Sequence, residues 1–264
     1  MTLKMFQVDA FTESPFHGNP AGVCVLEHPM ADGLMQSIAA EMNLSETAFL
    51  IKEGSAYRLR WFTPRVEVDL CGHATLASAH ILWERGFLNQ DSMAVFQTRS
   101  GKLTAVKHQN WIVMDFPALS PIEYDVPEAL SDIMKSDIIY FGKSNFDWIV
   151  EVADEDFVKR LQPDFSQIQR LPARGLIITS RSRQYDFISR FFAPAVGVNE
   201  DPVTGSAHSV LTPYWAEKLG KTEMSAYQAS ERGGLLRLSH HGTRVGIGGQ
   251  AVTMMEINFI GEGE

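Results

Sequence analysis

Alternation of apolar and polar residues predicts short β-strands along much of the chain. In the first part it marks "KMFQVDAF", "AGVCVLEH", "ETAFLIKEG" and "YRLRWFTP", and then three strands within "AVFQTRSGKLTAVKHQNWIVMDFP". Apolar residues at helical spacing mark "GLMQSIAAEMN" and a segment from about Gly72 to Arg85, which Gly86 follows in the usual position of a helix end. The pattern therefore predicts a mixed fold that is rich in strands.

The second part of the chain repeats this order after a proline-rich break over Pro117–Pro127, the best candidate for a linker. Helices are predicted over "EALSDIMKS" and "DEDFVKRLQ", and strands over "DIIYFGK", "NFDWIVEVA", "GLIITSRS" and "YDFISRFFAP". A third helix is expected from about Gly205 to Leu219, with Gly220 at its end. The strands "GLLRLSHH", "TRVGIGG" and "VTMMEINFIG" complete the chain.

Short motifs strengthen the case for an internal repeat. The segment "RWFTP" at 60–64 is echoed about 130 residues later by "RFFAP" at 190–194. Each is followed by an aspartate, Asp69 or Asp201, and then by the glycine that opens a helix. We therefore predict a duplicated unit in which a sheet curls around one small-residue helix. The expected halves are 1–117 and 118–264, with the last strand able to return to the N-terminal half.

Composition limits the function classes. The chain has 264 residues and a net charge of −9, which argues against nucleic acid or an anionic membrane as partner. It has no run of 18 apolar residues, and its N-terminus lacks the apolar region of a signal peptide. Two cysteines, Cys24 and Cys71, form neither a disulfide framework nor a zinc-ligand spacing. We expect a cytoplasmic protein in a reducing environment.

Two helix starts are the first candidates for chemistry. Gly72 and Gly205 each open a helix, where free N–H groups and partial positive charge attract a carboxylate or phosphate. If both starts converge where the halves meet, they form a binding cleft there. The competing interpretation is that each glycine serves only a turn.

His73 and Glu46 are candidates for proton transfer. His73 lies in the first helical turn, where the helix dipole disfavours the imidazolium, so a neutral ring suits acid–base chemistry. Glu46 directly precedes an apolar strand, and apolar walls would raise the pKa of such a carboxyl towards a working range. The alternatives are a histidine that only caps its helix and a solvated strand-end carboxylate. Aligning the halves sets Arg174 opposite Glu46, so only one half supplies a base.

Three further residues have both functional and structural interpretations. Asp201, held extended by the following proline, could orient a histidine or a ligand amine, or be a turn residue. Ser206 could donate to a ligand, whereas no nucleophile-elbow motif surrounds it. Cys71 lies at a helix start that favours a thiolate, but the matching "DPVTGSA" has no partner thiol for a two-cysteine racemase.

Four segments in order resemble the PhzF-like family of phenazine-biosynthesis proteins: "VDAFTESPFHGNPAGVCVL", "NLSETAFL", "TPRVEVDLCGHATLASA" and "NEDPVTGSAHSVLTPYW". The resemblance covers nearly the whole chain. It implies an α+β fold similar to diaminopimelate epimerase, with two similar domains, each a β-barrel-like sheet wrapped around a central helix, and an active site between them. It also implies the chemistry of the family's phenazine-pathway member, which moves a proton on the ring of a dihydro-hydroxyanthranilate without metal or organic cofactor.

The resemblance carries roles over to residues that match the motifs. It implies a glutamate acid–base at Glu46, assisted by His73, Asp201 and Ser206. Asn19 and Pro20 match the family's N-terminal loop motif "GNPAG" and are expected to bind substrate. The related epimerases use a cysteine from each half, and this chain has only Cys71.

We therefore expect an isomerase that uses neither metal nor cofactor and moves a proton on a small, possibly cyclic, carboxylate-bearing metabolite. Gly72 and Gly205 would bind its carboxylate. The alternatives are an amino-acid racemase or epimerase using Cys71 and Glu46, and a non-catalytic small-molecule binding protein. The expected partners are the substrate and a second copy in a homodimer, without nucleic acid or membrane.

Overall fold

The computed structural model describes residues 3–134 and 136–260, which form two compact units. The first unit comprises the residues up to Asp115 and those from Gly248 onward, and the second is Phe116–Ile247. This division lies two residues before the expected boundary after position 117. The C-terminal segment belongs to the first unit because its strand pairs with the N-terminal strand over its whole length. Among the described residues, no helix is both long and apolar enough to cross a bilayer.

The first unit is a mixed sheet with two helices. Its helices are α1 (Asp32–Met42) and α2 (Gly72–Glu84). Its strands are β1 (Leu3–Ala10), β2 (Asn19–Leu26), β3 (Glu46–Glu53), β4 (Ala56–Phe62), β5 (Glu67–Val68), β6 (Ala94–Thr98), β7 (Gly101–His108), the start of β8 (Trp111–Pro117) and, at the C-terminus, β18 (Ala251–Phe259). Strand β1 lies between β18 and β2, and β5 adds a short antiparallel pairing to β4.

The second unit is also a mixed sheet with helices. Its helices are α3 (Glu128–Met134), α4 (Glu155–Arg160), α5 (Phe165–Ile168) and α6 (Gly205–Leu219). Its strands are β9 (Ile122–Glu123), β10 (Ile138–Lys143), β11 (Asp147–Val152), β12 (Gly175–Arg181), β13 (Phe187–Ala193), β14 (Val198–Asp201), β15 (Glu223–Gln228), β16 (Gly234–His241) and most of β17 (Arg244–Gly249). Strand β10 lies between β9 and β11.

Both units follow the same order of strand pairings. In the first, β1–β2 is antiparallel, β2–β3 parallel, β3–β4 antiparallel, β4–β6 parallel and β6–β7 antiparallel. In the second, β10–β11, β11–β12, β12–β13, β13–β15 and β15–β16 repeat that alternation. Helix α2 lies between β5 and β6 in sequence, and α6 lies between β14 and β15. The predicted duplication of an α+β unit is confirmed.

Each repeat also contains the same ion pair. Arg60 on β4 forms a two-point contact with Glu67 on β5, with both N–O distances at 2.7 Å. Arg190 on β13 contacts Glu200 on β14 in the same way, at 2.7 and 2.8 Å. These arginines begin the "RWFTP" and "RFFAP" motifs. The shared motif therefore supplies the arginine of a bidentate ion pair, and this pair holds the short strand that precedes each central helix.

The two central helices are buried along most of their length. Residues of α2 from Gly72 to Ala79 are all buried, and α6 is buried over much of its length from Gly205. Their small side chains let the strands approach the helix closely, as expected from "ATLASAHIL". The buried hydroxyls bond to the helix itself: Thr75 donates to the Cys71 carbonyl at 2.5 Å, and Ser78 to the Ala74 carbonyl at 2.6 Å. Local bonding thus satisfies polar groups that have left water.

The predicted bounds of the central helices are confirmed. Helix α6 spans Gly205–Leu219 with left-handed Gly220 after it, and α2 ends one residue before the predicted Arg85. Among the described strands and α-helices, five were not predicted: β5, β9, β14, β15 and α5. Strand β15 is six residues long, and the others have four residues or fewer. Strand β9 lies inside the expected linker and depends on pairing with β10, and α5 is a single turn capped by Asp164. Such short elements have too few residues for a recognisable hydrophobic period.

A close approach at Gly175 on β12 yields a stability prediction. A Cβ at this position would lie 2.4 Å from the Phe191 ring and 3.1 Å from the Phe192 carbonyl oxygen. We expect Gly175→Ala to lower the free energy of unfolding by about 1–3 kcal/mol through overpacking. Gly33→Ala on α1, where a Cβ meets open space, should be neutral or stabilising by up to about 1 kcal/mol. Urea denaturation of both variants checks this; equal effects would contradict the packing argument.

Candidate active site

Glu46 and Asn19 lie at the same end of the first unit's sheet. Glu46 is the first residue of β3 and Asn19 is the first residue of β2. Because these strands are parallel, with Ala21 opposite Glu46, their first residues lie at one edge. The Glu46 side chain retains 17% of its exposure, whereas Asn19 is completely buried. The sheet topology thus brings together two residues that are 27 positions apart in sequence (46 minus 19).

His73 joins this group from the first turn of α2. Its Nε2 lies 3.2 Å from a Glu46 carboxylate oxygen, and its Nδ1 lies 3.2 Å from Asn19 Nδ2. The ring is 4% exposed, and its burial lowers the pKa of His73 from 6.5 to about 3. The structure therefore agrees with the expectation that His73 is neutral near pH 7, although the dominant cause is desolvation rather than the helix dipole.

The hydrogen-bond geometry indicates which ring nitrogen carries the proton. An amide nitrogen can only donate, so Asn19 requires Nδ1 of His73 to accept. The proton of the neutral ring then resides on Nε2, the atom that faces Glu46. Despite its 3.2 Å approach to the carboxylate, buried Nε2 makes no hydrogen bond to the described residues. A buried N–H group that makes no hydrogen bond within the protein is available to donate one to a ligand.

Cys71 completes the group as the N-cap residue of α2. Its sulfur is buried and lies 3.5 Å from Nδ1 of His73. Donor atoms of Glu46, Cys71 and His73 all lie within 4.8 Å of one another. A carboxylate, a thiolate and an imidazole form a donor set that zinc accepts. The expectation of a metal-independent site stays a prediction.

The remaining predicted residues of the first unit lie beside this group. Pro20 follows Asn19 on β2, where it pairs with Asp9 of β1, and is partly exposed. Gly72 is the first residue of α2, and the N-cap side chain makes no capping bond to that helix. The first-turn N–H groups of α2 therefore lack the side-chain cap that helix starts usually have.

The second unit places Asp201 and Ser206 at the start of α6. Thr204, the N-cap residue, donates its hydroxyl to an Asp201 carboxylate oxygen at 2.6 Å instead of capping the helix. Gln228 binds the same turn, donating to the Asp201 carbonyl at 2.7 Å and accepting from the Thr204 amide at 2.9 Å. Asp201 therefore belongs to an ordered polar turn that leads directly into Gly205.

Two residues near Ser206 were missed as candidates for the site. Arg174 donates to the Ser206 hydroxyl oxygen at 3.1 Å and forms a bidentate pair with Asp147 on β11. Asp147 is buried, with a side-chain exposure of 2%. The alignment of the halves placed Arg174 opposite Glu46, which was the available signal. Asp147 has no motif around it, and only the parallel β11–β12 pairing brings it near.

Comparisons with known proteins agree with the motif resemblance. The family model of the phenazine biosynthesis-like proteins, PhzC-PhzF, matches residues 8–257. A relative from Halalkalibacterium halodurans, named an uncharacterized isomerase, is 53% identical, with 98% of this chain and 99% of the relative covered. A solved PhzF-family protein of Enterococcus faecalis superimposes with a TM-score of 0.95 at 41% identity, covering 98% and 99% of the two chains.

A more distant structure shows the extent of the fold. A hydroxyproline epimerase from Agrobacterium vitis has a TM-score of 0.66 at 11% identity over 97% of this chain and 92% of its own. The fold is therefore that of the epimerase-like α+β proteins. The molecule is an isomerase by class, as are the relatives named isomerases that are 48–53% identical to it. Within that class, the chain belongs to the phenazine biosynthesis-like PhzC-PhzF family.

The buried histidines predict how stability depends on pH. Burial lowers the pKa of His73 to about 3 and that of His208, on α6, to about 4. Both titrate near 6.5 when unfolded, so between about pH 6.5 and 4 the unfolded chain binds protons that the native state excludes. The free energy of unfolding should be greatest above about pH 6.5 and fall on acidification, by up to about 1.4 kcal/mol per pH unit for each histidine.

Urea denaturation at several values between about pH 7.5 and about pH 5 measures this slope. His73→Gln should reduce the slope by the share of one histidine, whatever it does to stability at neutral pH. His108→Gln, at an exposed position, is the matched control and should leave the slope unchanged. A slope in His73→Gln equal to that of the unmodified chain would mean that His73 is protonated in the folded protein.

Proposed function

We propose that the protein catalyses a proton shift between two carbons of a small carboxylate-bearing metabolite, with Glu46 as the acid–base group. The observation that carries this proposal is the pair formed by Glu46 and His73. An oxygen of the partly exposed Glu46 side chain lies 3.2 Å from Nε2 of the neutral His73 ring, and this buried nitrogen makes no hydrogen bond to the described residues. A base beside an unused donor is the minimum that such chemistry requires.

The reaction is balanced without an outside reactant. The Glu46 carboxylate takes a proton from a carbon of the substrate, and the electron pair of the broken C–H bond moves into the conjugated system. The resulting carboxylic acid returns the same proton to a different carbon, which restores the carboxylate. The Nε2–H group of His73 would donate to the substrate where negative charge develops, because a buried donor stabilises such charge more strongly than water does.

The remaining predicted residues would bind and orient the substrate. The uncapped first turns of α2 and α6, at Gly72 and Gly205, support a role in holding the carboxylate. Ser206 would add a hydroxyl donor, and Asp201 would orient a polar substituent or relay a proton.

Asn19 is supported as a substrate-site residue by its contact with His73, whose tautomer it determines. Pro20 would shape the same edge of the first unit. The substrate class we propose is a small cyclic carboxylate, and a dihydro-hydroxyanthranilate is the first compound to test because of the family resemblance.

Glu46→Gln provides the decisive test. The substitution keeps the shape of the side chain and removes its basicity, so we expect turnover to fall by at least about 10³-fold while the protein remains folded. Proton NMR in deuterated water, on a panel of cyclic carboxylates, measures both exchange and product formation. Glu53→Gln on the same strand is the matched control, since Glu53 is exposed at the far end of β3 and forms a surface ion pair with Arg58. An active Glu46→Gln enzyme would refute the mechanism.

A second candidate is a racemase or epimerase that uses Cys71 with Glu46. The observation favouring it is the buried Cys71 sulfur 3.5 Å from the His73 ring, at the N-cap position where a thiolate is stabilised. The corresponding N-cap residue of α6 is Thr204, so the second repeat supplies no partner thiol. Burial raises the pKa of Cys24 to about 12, which makes this other thiol unsuitable as a base.

Cys71→Ser separates the two candidates. For the proton-shift isomerase we expect most of the activity to remain, whereas a racemase should lose about 10³-fold or more because a serine hydroxyl is a far weaker base than a thiolate. Turnover and optical rotation of the same reaction are measured together. Cys24→Ala controls for general effects of removing a buried thiol. Loss of activity in Cys71→Ser alone, with an unchanged melting temperature, would favour the racemase.

The third candidate is a binding protein without catalysis. It would bind members of the carboxylate panel while neither converting them to products nor exchanging their C–H positions in deuterated water. We further propose that the protein acts as a homodimer in a reducing cytoplasm. Cys24 and Cys71, which form no disulfide within the described chain, support the second part, and analytical ultracentrifugation tests the first.

A further inference from the structure

Arg174 and Ser206 form a polar pair in the second unit. The function proposed above gives Ser206 a role but gives none to Arg174. Arg174 immediately precedes β12, and its Nη2 donates to the Ser206 hydroxyl oxygen at 3.1 Å. The same guanidinium is held by both oxygens of buried Asp147, with Nε to Oδ1 at 2.9 Å. Two aromatic rings, Phe146 and Phe191, lie 5.6 and 5.7 Å from its central carbon. The orientation of this guanidinium is therefore well determined.

The internal repeat places this pair where the first unit has its acid–base pair. Glu46 begins β3, and Arg174 precedes the equivalent strand β12 by one residue. His73 is the second residue of α2, and Ser206 is the second residue of α6. At matching positions, the first unit therefore has a base and an imidazole, and the second unit has only hydrogen-bond donors and a hydroxyl.

The direction of the hydrogen bond determines what Ser206 can do. A guanidinium only donates, so the serine oxygen is the acceptor and the hydroxyl hydrogen points elsewhere. Among the described residues this hydrogen bonds to no acceptor, unlike the hydroxyl hydrogens of Thr75 and Thr212, which bond to carbonyl oxygens one turn earlier. Ser206 is half-buried and lies in the first turn of α6, whose N–H groups also donate.

We propose that Arg174 is a positioning residue that orients Ser206 as a donor to the carboxylate of the substrate. Since Asp147 compensates the charge of Arg174, the effect is mainly one of orientation rather than of net attraction. The proposal rests on the role of Ser206 in the proposed function. It predicts that substrate binding depends on Arg174 only as long as Ser206 retains its hydroxyl.

Binding of benzoate to the full-length protein, followed by isothermal titration calorimetry, tests this without requiring turnover. We expect Ser206→Ala and Arg174→Gln each to weaken benzoate binding by about 10-fold or more, the effect of losing a hydrogen bond to a charged group. The double variant should bind no more weakly than Ser206→Ala alone. Benzamide, which lacks the negative charge, should bind weakly to all forms.

Three further variants keep the result interpretable. Arg170→Gln, at an exposed position nearby in sequence, should bind benzoate normally. Arg174→Lys should recover part of the affinity, because an ammonium can donate to Ser206 but cannot match the two oxygens of Asp147. If Arg174→Gln unfolds because Asp147 is left buried and unpaired, the Arg174→Gln/Asp147→Asn variant replaces the ion pair by two amides and serves in its place.

Several outcomes would overturn the proposal. These are the absence of saturable benzoate binding by the unmodified protein, unchanged affinity in Arg174→Gln, and a full additional loss when Arg174→Gln is combined with Ser206→Ala. Glu46→Gln should still bind benzoate, because it retains the donors of the second unit. The binding result therefore stands apart from the turnover test: loss of turnover without loss of benzoate binding locates the defect in Glu46 chemistry.

Discussion

Burial of the small-residue helix α2 within the first unit is the constraint on which the rest of the site depends. A helix surrounded by strands can keep only polar groups that are satisfied locally, and Thr75 and Ser78 meet this requirement by bonding to carbonyls of their own helix. His73 is the exception. Burial lowers the pKa of His73 to about 3, which favours the neutral ring. Its Nε2 lies 3.2 Å from a Glu46 oxygen but makes no hydrogen bond to the described residues.

The repeated frame supports different chemistry in its two copies. The bidentate pairs Arg60–Glu67 and Arg190–Glu200 hold equivalent short strands before each central helix. Beyond this shared support, the copies diverge at the positions that face the helix starts. The first copy has a carboxylate beside an imidazole, and the second has a guanidinium beside a hydroxyl. The same repeated unit therefore holds a carboxylate–imidazole pair in one copy and a guanidinium–hydroxyl pair in the other.

Much of the fold and part of the site could be predicted from the sequence. The periods of most strands and of the two central helices were long enough to be recognised, and glycines marked the helix ends. The proximity of Glu46 and His73 followed from motif resemblance rather than from their separation along the chain. Strand β9 escaped prediction because its two residues become a strand only by pairing with β10. The contribution of Asp147 was not predicted either, because its buried ion pair with Arg174 depends on which strands are neighbours and not on any local sequence pattern.

The sequence by itself determined the α+β repeat, the two helix starts and the residue types available for proton transfer, because hydrophobic period, glycine placement and motif order are local properties. Only the tertiary structure decided which ring nitrogen of His73 carries the proton, since Asn19 reaches that ring through the parallel pairing of β2 with β3. It also decided that the Ser206 oxygen accepts a hydrogen bond from Arg174, whose guanidinium is held by Asp147 on an adjacent strand. Protonation and hydrogen-bond direction depend on burial and on neighbours distant in sequence, which no local pattern contains.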